Sequence, residues 1–225
     1  MSKEFFDAIK NGDLAEVERR LSQDPILIHE RENGLSPILA AAYHHNPQVA
    51  SFLADKTVAI TIFEASATGK INNIIRLLAR DPDLVNAYAE DGFQPLGLAC
   101  YFGHFDVVEY LVKAGSNVNS KSNNGLKVAP IQSATAGGHY KIVKILLDYG
   151  ADPNIREQGG HTPLHAAAQN GDEEIIRMLL YRGADFSLTN NDGKTALDLA
   201  MQAGHARAAL LLGEGITKRF SFKRK

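Results

Sequence analysis

Gly160-His161-Thr162-Pro163-Leu164-His165-Ala166-Ala167-Ala168-Gln169-Asn170-Gly171-Asp172, continued by Leu179-Leu180 and Gly183-Ala184-Asp185, is the stretch whose reading decides the fold. The Thr162 hydroxyl can accept from the free N–H groups of a first helical turn, and Pro163 just inside loses nothing because its missing N–H had no partner there. A helix therefore starts at Pro163, carries Leu164, Ala167 and Ala168, and stops at Gly171, a residue that takes the left-handed conformation needed to end it. A second helix carries the larger apolar residues Ile175, Ile176, Met178, Leu179 and Leu180 and stops at Gly183. One helix is slim and the other bulky, so successive pairs stack with a curve, and the slim helices and projecting turns line the concave side.

The pattern recurs outward along the chain. Turn glycines or their equivalents fall at Gly12, His45, Gly69, Gly103, Gly138, Gly171 and Gly204, at intervals of 33, 24, 34, 35, 33 and 33 residues. A fixed period in this range marks a stacked-repeat architecture. These intervals, the Thr162-Pro163-Leu164-His165 run, the Gly103-His104, Gly138-His139 and Gly204-His205 pairs and the Gly183-Ala184-Asp185 boundary resemble the ankyrin repeat, over nearly the whole chain from Phe5 to Leu212. The resemblance implies an all-α solenoid of about seven helix-turn-helix repeats, caps included, with short projecting β-turn fingers, and action by binding. At finer grain, Asp91-Gly92-Phe93-Gln94-Pro95-Leu96-Gly97-Leu98-Ala99 and Gln158-Gly159-Gly160-His161-Thr162-Pro163 resemble a bacterial group of ankyrin-repeat proteins that has no assigned activity.

A chain of 225 residues with 44% hydrophobic content has enough apolar material for one continuous core, so residues 1–213 read as a single domain. Its ends read as caps, the first over about residues 1–32 and the last over about 191–213, because an uncapped terminal repeat would expose its stacking surface. The net charge of −2 hides an asymmetry: Lys218 to Lys225 carry five bases and no acid, which leaves −7 on the rest (−2 less +5). Residues 214–225 read as a flexible basic tail, and the acidic body argues against a nucleic-acid groove on the folded domain. No apolar run approaches the roughly 18 residues of a spanning helix, and the N-terminus lacks a secretory signal. A monomer in the cytoplasm is the expectation, with the lone Cys100 serving packing.

Three places depart from the pattern. The interval from His45 to Gly69 is nine residues shorter than its predecessor, and no Asp-Gly turn followed by Thr-Pro lies between Leu53 and Phe63. One finger should be missing there, leaving a notch near Tyr43, His44 and Glu64. At Asn124-Gly125-Leu126-Lys127-Val128-Ala129-Pro130 two extra residues should lengthen a finger. Asp24-Pro25 and Asp81-Pro82 replace the usual boundary, and the preceding helix must end before each proline.

Chemistry is absent from the motifs. There is no nucleophile elbow, no phosphate loop ending in Lys-Ser/Thr, no Cys-x-x-Cys and no His-Glu-x-x-His. Neither a catalytic residue nor a cofactor or metal is assigned. His104, His139 and His205 follow turn glycines and His165 holds the Thr-Pro-Leu-His position, where related repeats use the imidazole to hydrogen-bond neighbouring turns. His44 and His45 are adjacent on a helix end and point in different directions, which makes them a poor metal pair.

What remains is surface. On the ankyrin pattern the concave side takes turn positions and the exposed ends of the first helices, which in the fourth repeat are Tyr88, Glu90, Asp91, Phe93, Tyr101 and Phe102. Tyr43, His44 and Glu64 adjoin them on one side and Lys121 on the other, and Arg156, His161 and Gln169 continue the face with more polar groups. An aromatic patch rimmed by charge is the composition of a binding hot spot. The expected function is non-catalytic binding of another protein on the concave face. Two alternatives stay open: an inhibitory subunit of an enzyme or toxin, or a receptor for a small molecule or metal.

Overall fold

The computed structural model describes residues 2–213, and the basic tail expected over 214–225 lies outside them. Seven helix pairs follow one another: α1 (Ser2–Asn11) with α2 (Leu14–Gln23), α3 (Pro37–Tyr43) with α4 (Pro47–Lys56), α5 (Ile62–Thr68) with α6 (Ile71–Arg80), and α7 (Pro95–Phe102) with α8 (Phe105–Lys113). Then come α9 (Pro130–Ala136) with α10 (Tyr140–Asp148), α11 (Pro163–Asn170) with α12 (Glu173–Tyr181), and α13 (Ala196–Gln202) with a last helix, α14, over 206–213. The first helices of successive pairs pack on one another from α1 through α13, which their small residues permit: Ala40 to Ala42, Ala65 and Ala67, Ala99, Ala134, Ala167 and Ala168 are all buried. The second helices bury the bulk, as in Val107, Val108 and Leu111 of α8 or Ile142, Val143 and Leu146 of α10. This is the all-α solenoid that the repeat spacing implied.

Helix starts follow their side chains. Ser36, Thr61 and Thr195 each accept an amide of the first turn of α3, α5 and α13. Both Asp-Pro boundaries end a helix as expected, α2 at Gln23 and α6 at Arg80. Each is followed by a 3₁₀ turn, Pro25–His29 or Pro82–Asn86, whose first turn Asp24 or Asp81 caps.

The Gly-His pairing has a packing reason. Gly69, Gly103 and Gly171 end α5, α7 and α11 at φ of 70°, 80° and 74°, where a side chain is strained. Each also lies against the imidazole of the next pair, His104, His139 or His205, so closely that an added Cβ would come within 2.7, 2.6 or 2.7 Å of it. Those rings donate through Nε2 to the carbonyls of Ala67, Tyr101 and Gln169, at 3.0, 3.1 and 3.0 Å, which ties each pair to the one before. In the second pair His45 takes the left-handed position (φ 57°) and Asn46 does the tying, its amide donating to the Ile9 and Lys10 carbonyls.

Fingers connect the pairs at every junction but one. Thr57 to Thr61 run directly from α4 into α5, so the expected missing finger is missing. From the one before α7 onward, the fingers brace each other: the Gly92 carbonyl accepts from Asn123, that of Leu126 from Gln158, and that of Gly159 from Asn191.

Candidate functional site: two hollows beside the finger before α7

The finger that leads into α7 separates two hollows. On one side, toward α9, Tyr43, Phe93, Leu98, Tyr101, Leu126, Val128 and Ala136 surround about 320 Å³ of almost wholly apolar space. On the other, about 160 Å³ lies where the missing finger would stand, lined by Arg31, Ser36, Thr61, Phe63, Glu64, Tyr88, Glu90 and Asp91 among others.

The expected aromatic patch is thereby divided. Tyr43, Phe93 and Tyr101 share the apolar hollow, whereas Tyr88 lies across the finger in the notch, its hydroxyl 3.0 Å from Ser120 Oγ and donating to the Lys121 carbonyl at 3.2 Å. Phe102 packs against Tyr43 and Tyr101, with ring centroids 5.6 and 5.1 Å apart, and lines a third hollow with Ala50, Thr68 and His104. The notch does form, but Tyr43 does not line it, and His44 is an exposed helix end that joins neither hollow.

Four expected contact groups are already engaged. Glu64 is buried, and its Oε2 accepts from the Thr61 amide and hydroxyl, both at 2.8 Å, in a capping box. Asp91 accepts from the Phe93 amide at 3.1 Å and from the Tyr43 hydroxyl at 2.7 Å. Arg156 donates to the Thr189 carbonyl of the next finger at 2.5 Å, and His161 Nε2 accepts from the Asn190 amide at 2.6 Å. Glu90 is exposed, with Arg31 3.5 Å from its Oε2, and Lys121 and Gln169 are exposed at the finger and at the end of α11.

Leu126 and Val128 line the apolar hollow, and the residue pattern did not single them out. They come from the lengthened finger, whose insertion was legible; that the insertion delivers apolar side chains over α9 was not. Leu126 is 56% exposed, and its carbonyl is pinned by the Gln158 amide, so an apolar side chain is held in solvent by a fixed backbone.

Burial sets the titration of the ionisable groups nearby. The Tyr43 phenol is pushed far above its ordinary range by desolvation, then by the adjacent Asp91 carboxylate. Desolvation likewise lowers His104 and His165 and raises the Cys100 thiol. Among the described residues no group of three or more His, Cys, Asp or Glu is placed to hold a metal, and no helix is long and apolar enough to cross a membrane.

The family model for ankyrin repeats matches this chain in three overlapping copies, over residues 5–122, 62–157 and 131–220. The chain belongs to the ankyrin-repeat family. Ankyrin repeats are generally protein-interaction modules without catalytic activity.

Among curated proteins the chain is similar to the human BCL-6 corepressor-like protein 1, 39% identical over 119 residues, which is 52% of this chain and 7% of that one. It is similar to the Saccharomyces cerevisiae target of rapamycin complex 2 subunit AVO2, 28% identical over 174 residues, 70% of this chain and 40% of that one. It is also similar to the rat ankyrin repeat and SAM domain-containing protein 6, 35% identical over 101 residues, 45% of this chain and 11% of that one. The matched stretch thus spans well under half of each of these relatives. All three are eukaryotic, and nothing in these matches supports the resemblance to a bacterial group.

Proposed function

We propose that this chain binds another protein on its concave face as a non-catalytic module, with the apolar hollow between the fingers before α7 and α9 as the anchoring point. The observation that carries this reading is that about 320 Å³ of apolar space is walled by Tyr43, Phe93, Tyr101 and Leu126, of which Tyr101 and Leu126 are 39% and 56% exposed. An apolar hollow of this size fits a large aliphatic or aromatic side chain of a partner, and buried anchors of that kind dominate interface energetics. The braced fingers hold the rim in place before binding, so little ordering entropy is lost when a partner docks. The yeast relative is named as a subunit of a complex, which accords with a role in assembly. Residues 1–213 are read as one domain, acting as a monomer in the cytoplasm. Its single cysteine, Cys100, is buried, which suits a reducing compartment.

The test is affinity capture from native cytosol with the intact chain, with Tyr101→Ala and with Leu126→Ser. Both replaced side chains are exposed, so the variants are expected to fold. A partner held by the intact chain and lost by both variants supports the reading. A partner retained equally by all three moves binding away from this hollow.

A further inference from the structure

Every joint between successive pairs but one is tied through the end of a first helix. His104, His139 and His205 tie the fourth, fifth and seventh pairs to those before them, and Asn46 ties the second to the first. Asn170 ties the sixth pair to the fifth by donating to the Thr135 and Ala136 carbonyls at 3.2 and 3.1 Å. At the joint between the second and third pairs Lys70 stands where those imidazoles stand, and it reaches to α4 instead, to Ser51 Oγ at 3.2 Å and to the Asp55 carboxylate at 2.8 Å. His45 stands where Gly69, Gly103 and Gly171 make room for a ring, so its Cβ closes that room. The finger is missing here too, and among the described residues no backbone hydrogen bond joins residues 2–56 to residues 61–213.

Packing follows the ties. α3 and α5 are the most sparsely packed of all successive first helices. Hollows open at both of their ends, about 160 Å³ in the notch and about 280 Å³ among Ala42, His45, Ala50, Thr68, Phe102 and His104. Val58, in the direct link between α4 and α5, is fully exposed. Sparse contact and few cross-links let one part of a fold move against another, and residues at the ends of elements absorb the turn.

Two side-chain links span this joint on the concave side, Tyr43 with Asp91 and Phe102, and Arg31 with Glu90. Arg31 and Glu90 are an exposed pair and hold little. Tyr43 comes from before the joint, and the other residues lining the apolar hollow lie between Phe93 and Ala136, all after it. One wall of the hollow thus belongs to one side of the joint and the remaining walls to the other.

We infer that residues 2–56 swing as a unit against residues 61–213 about residues 57–61, and that the apolar hollow is complete only with this joint closed; the inference rests on the reading of that hollow as the anchoring point. The Tyr43–Asp91 bond latches the closed form. A partner side chain seated between Tyr43 on one side and Phe93 and Leu126 on the other touches both blocks, so docking draws the joint shut. The apparent Kd is then the intrinsic one divided by the closed fraction. Affinity is set in part at the joint, outside the surface that the partner covers.

The test measures distances by pulsed electron paramagnetic resonance on the full chain, spin-labelled at two introduced cysteines. Ala15→Cys with Lys141→Cys straddles the joint, and Ala79→Cys with Lys141→Cys does not; all three positions are exposed, and the native Cys100 is fully buried. The expected result is a broader distribution for the straddling pair, narrowed by saturating 3-methylindole, a stand-in for a tryptophan side chain. Binding of that probe is followed separately through the Tyr101 and Leu126 NMR resonances. Tyr43→Phe keeps the ring and removes the latch, so it should broaden the straddling distribution alone and weaken the probe by the factor through which the closed fraction falls, about threefold to tenfold. Lys70→Ala cuts the tie to α4 and lies outside the hollow; it should act in the same direction, and it serves where Tyr43→Phe does not fold. Equal widths for the two label pairs in the parent and in both variants overturn the inference, as does a probe affinity that holds while the closed fraction falls. If 3-methylindole shifts neither resonance in the parent, the anchoring role of the hollow falls instead, and the swing is decided by the two distance distributions alone.

Discussion

Tyr43 donates its phenolic hydrogen bond to Asp91 Oδ2 at 2.7 Å, joining the end of α3 to the finger before α7 across 48 residues of chain. The bond passes over the third pair, the one that has no finger, so the second and fourth pairs are linked directly where a finger would otherwise intervene. Asp91 in turn accepts the Phe93 amide, which fixes the start of the segment that walls the apolar hollow. One phenol thus braces both the notch and its neighbour.

Tyr43→Phe should lower the unfolding free energy by about 1–3 kcal/mol, because it leaves a half-buried carboxylate oxygen without its donor. The folded state raises the phenol's pKa, so the neutral form is favoured by folding. The advantage of Tyr43 over Phe is therefore constant below the ordinary tyrosine value of about 10 and shrinks as pH rises above it. Urea denaturation of the two proteins from pH 7 to pH 11 checks this. An advantage that grows with alkaline pH would contradict the bond.

His165 is buried, with Nδ1 accepting from Thr162 and Nε2 donating to Lys194, an arrangement that requires the neutral ring. Its pKa is lowered by burial. Stability from this site is thus present above the ordinary histidine value of about 6.5 and is lost as pH falls through the lower folded value. His165→Gln should match the parent at pH 8 to within about 1 kcal/mol and lose less of its Tm between pH 7 and pH 5. His104, also lowered by burial, leaves a residual acid slope in the variant. An identical slope in both proteins would show that His165 does not carry it.

Phe93 and Leu126 line the same hollow but differ in what supports them. Phe93 is half-buried between its finger and α7, so Phe93→Ala should cost about 2–4 kcal/mol of stability along with binding. Leu126 is exposed at a finger tip, so Leu126→Ser should change stability by less than about 0.5 kcal/mol. Thermal melts of the two variants make the comparison, and a large loss for Leu126→Ser would place that side chain in the core.

Much of the architecture was legible one repeat at a time. Thr162-Pro163 and Gly171 bound a helix because capping and left-handed turns are settled by residues within a few positions of one another. The short interval before Gly69 and the expansion before Pro130 were visible as arithmetic. The site was harder. Tyr88, Phe93, Tyr101 and Phe102 are close in sequence, yet they face three different hollows, because each sits on a different side of one finger or helix end. Glu64 and Asp91 read as charges for a partner, but both are engaged at home, one by its own helix start and the other by Tyr43.

By itself the sequence determined the helix pairs, their period, the missing finger and the lengthened one, since each depends on turn residues and apolar spacing inside a single repeat. Only the tertiary structure decided which aromatics share a surface and which polar groups are already partnered at home. Those outcomes turn on carbonyls, rings and hydroxyls contributed from about 30 to 50 residues away, as Tyr43 reaching Asp91 and His165 reaching the Lys194 carbonyl both illustrate. Stacking brings such groups together, and no local pattern of residues encodes the meeting.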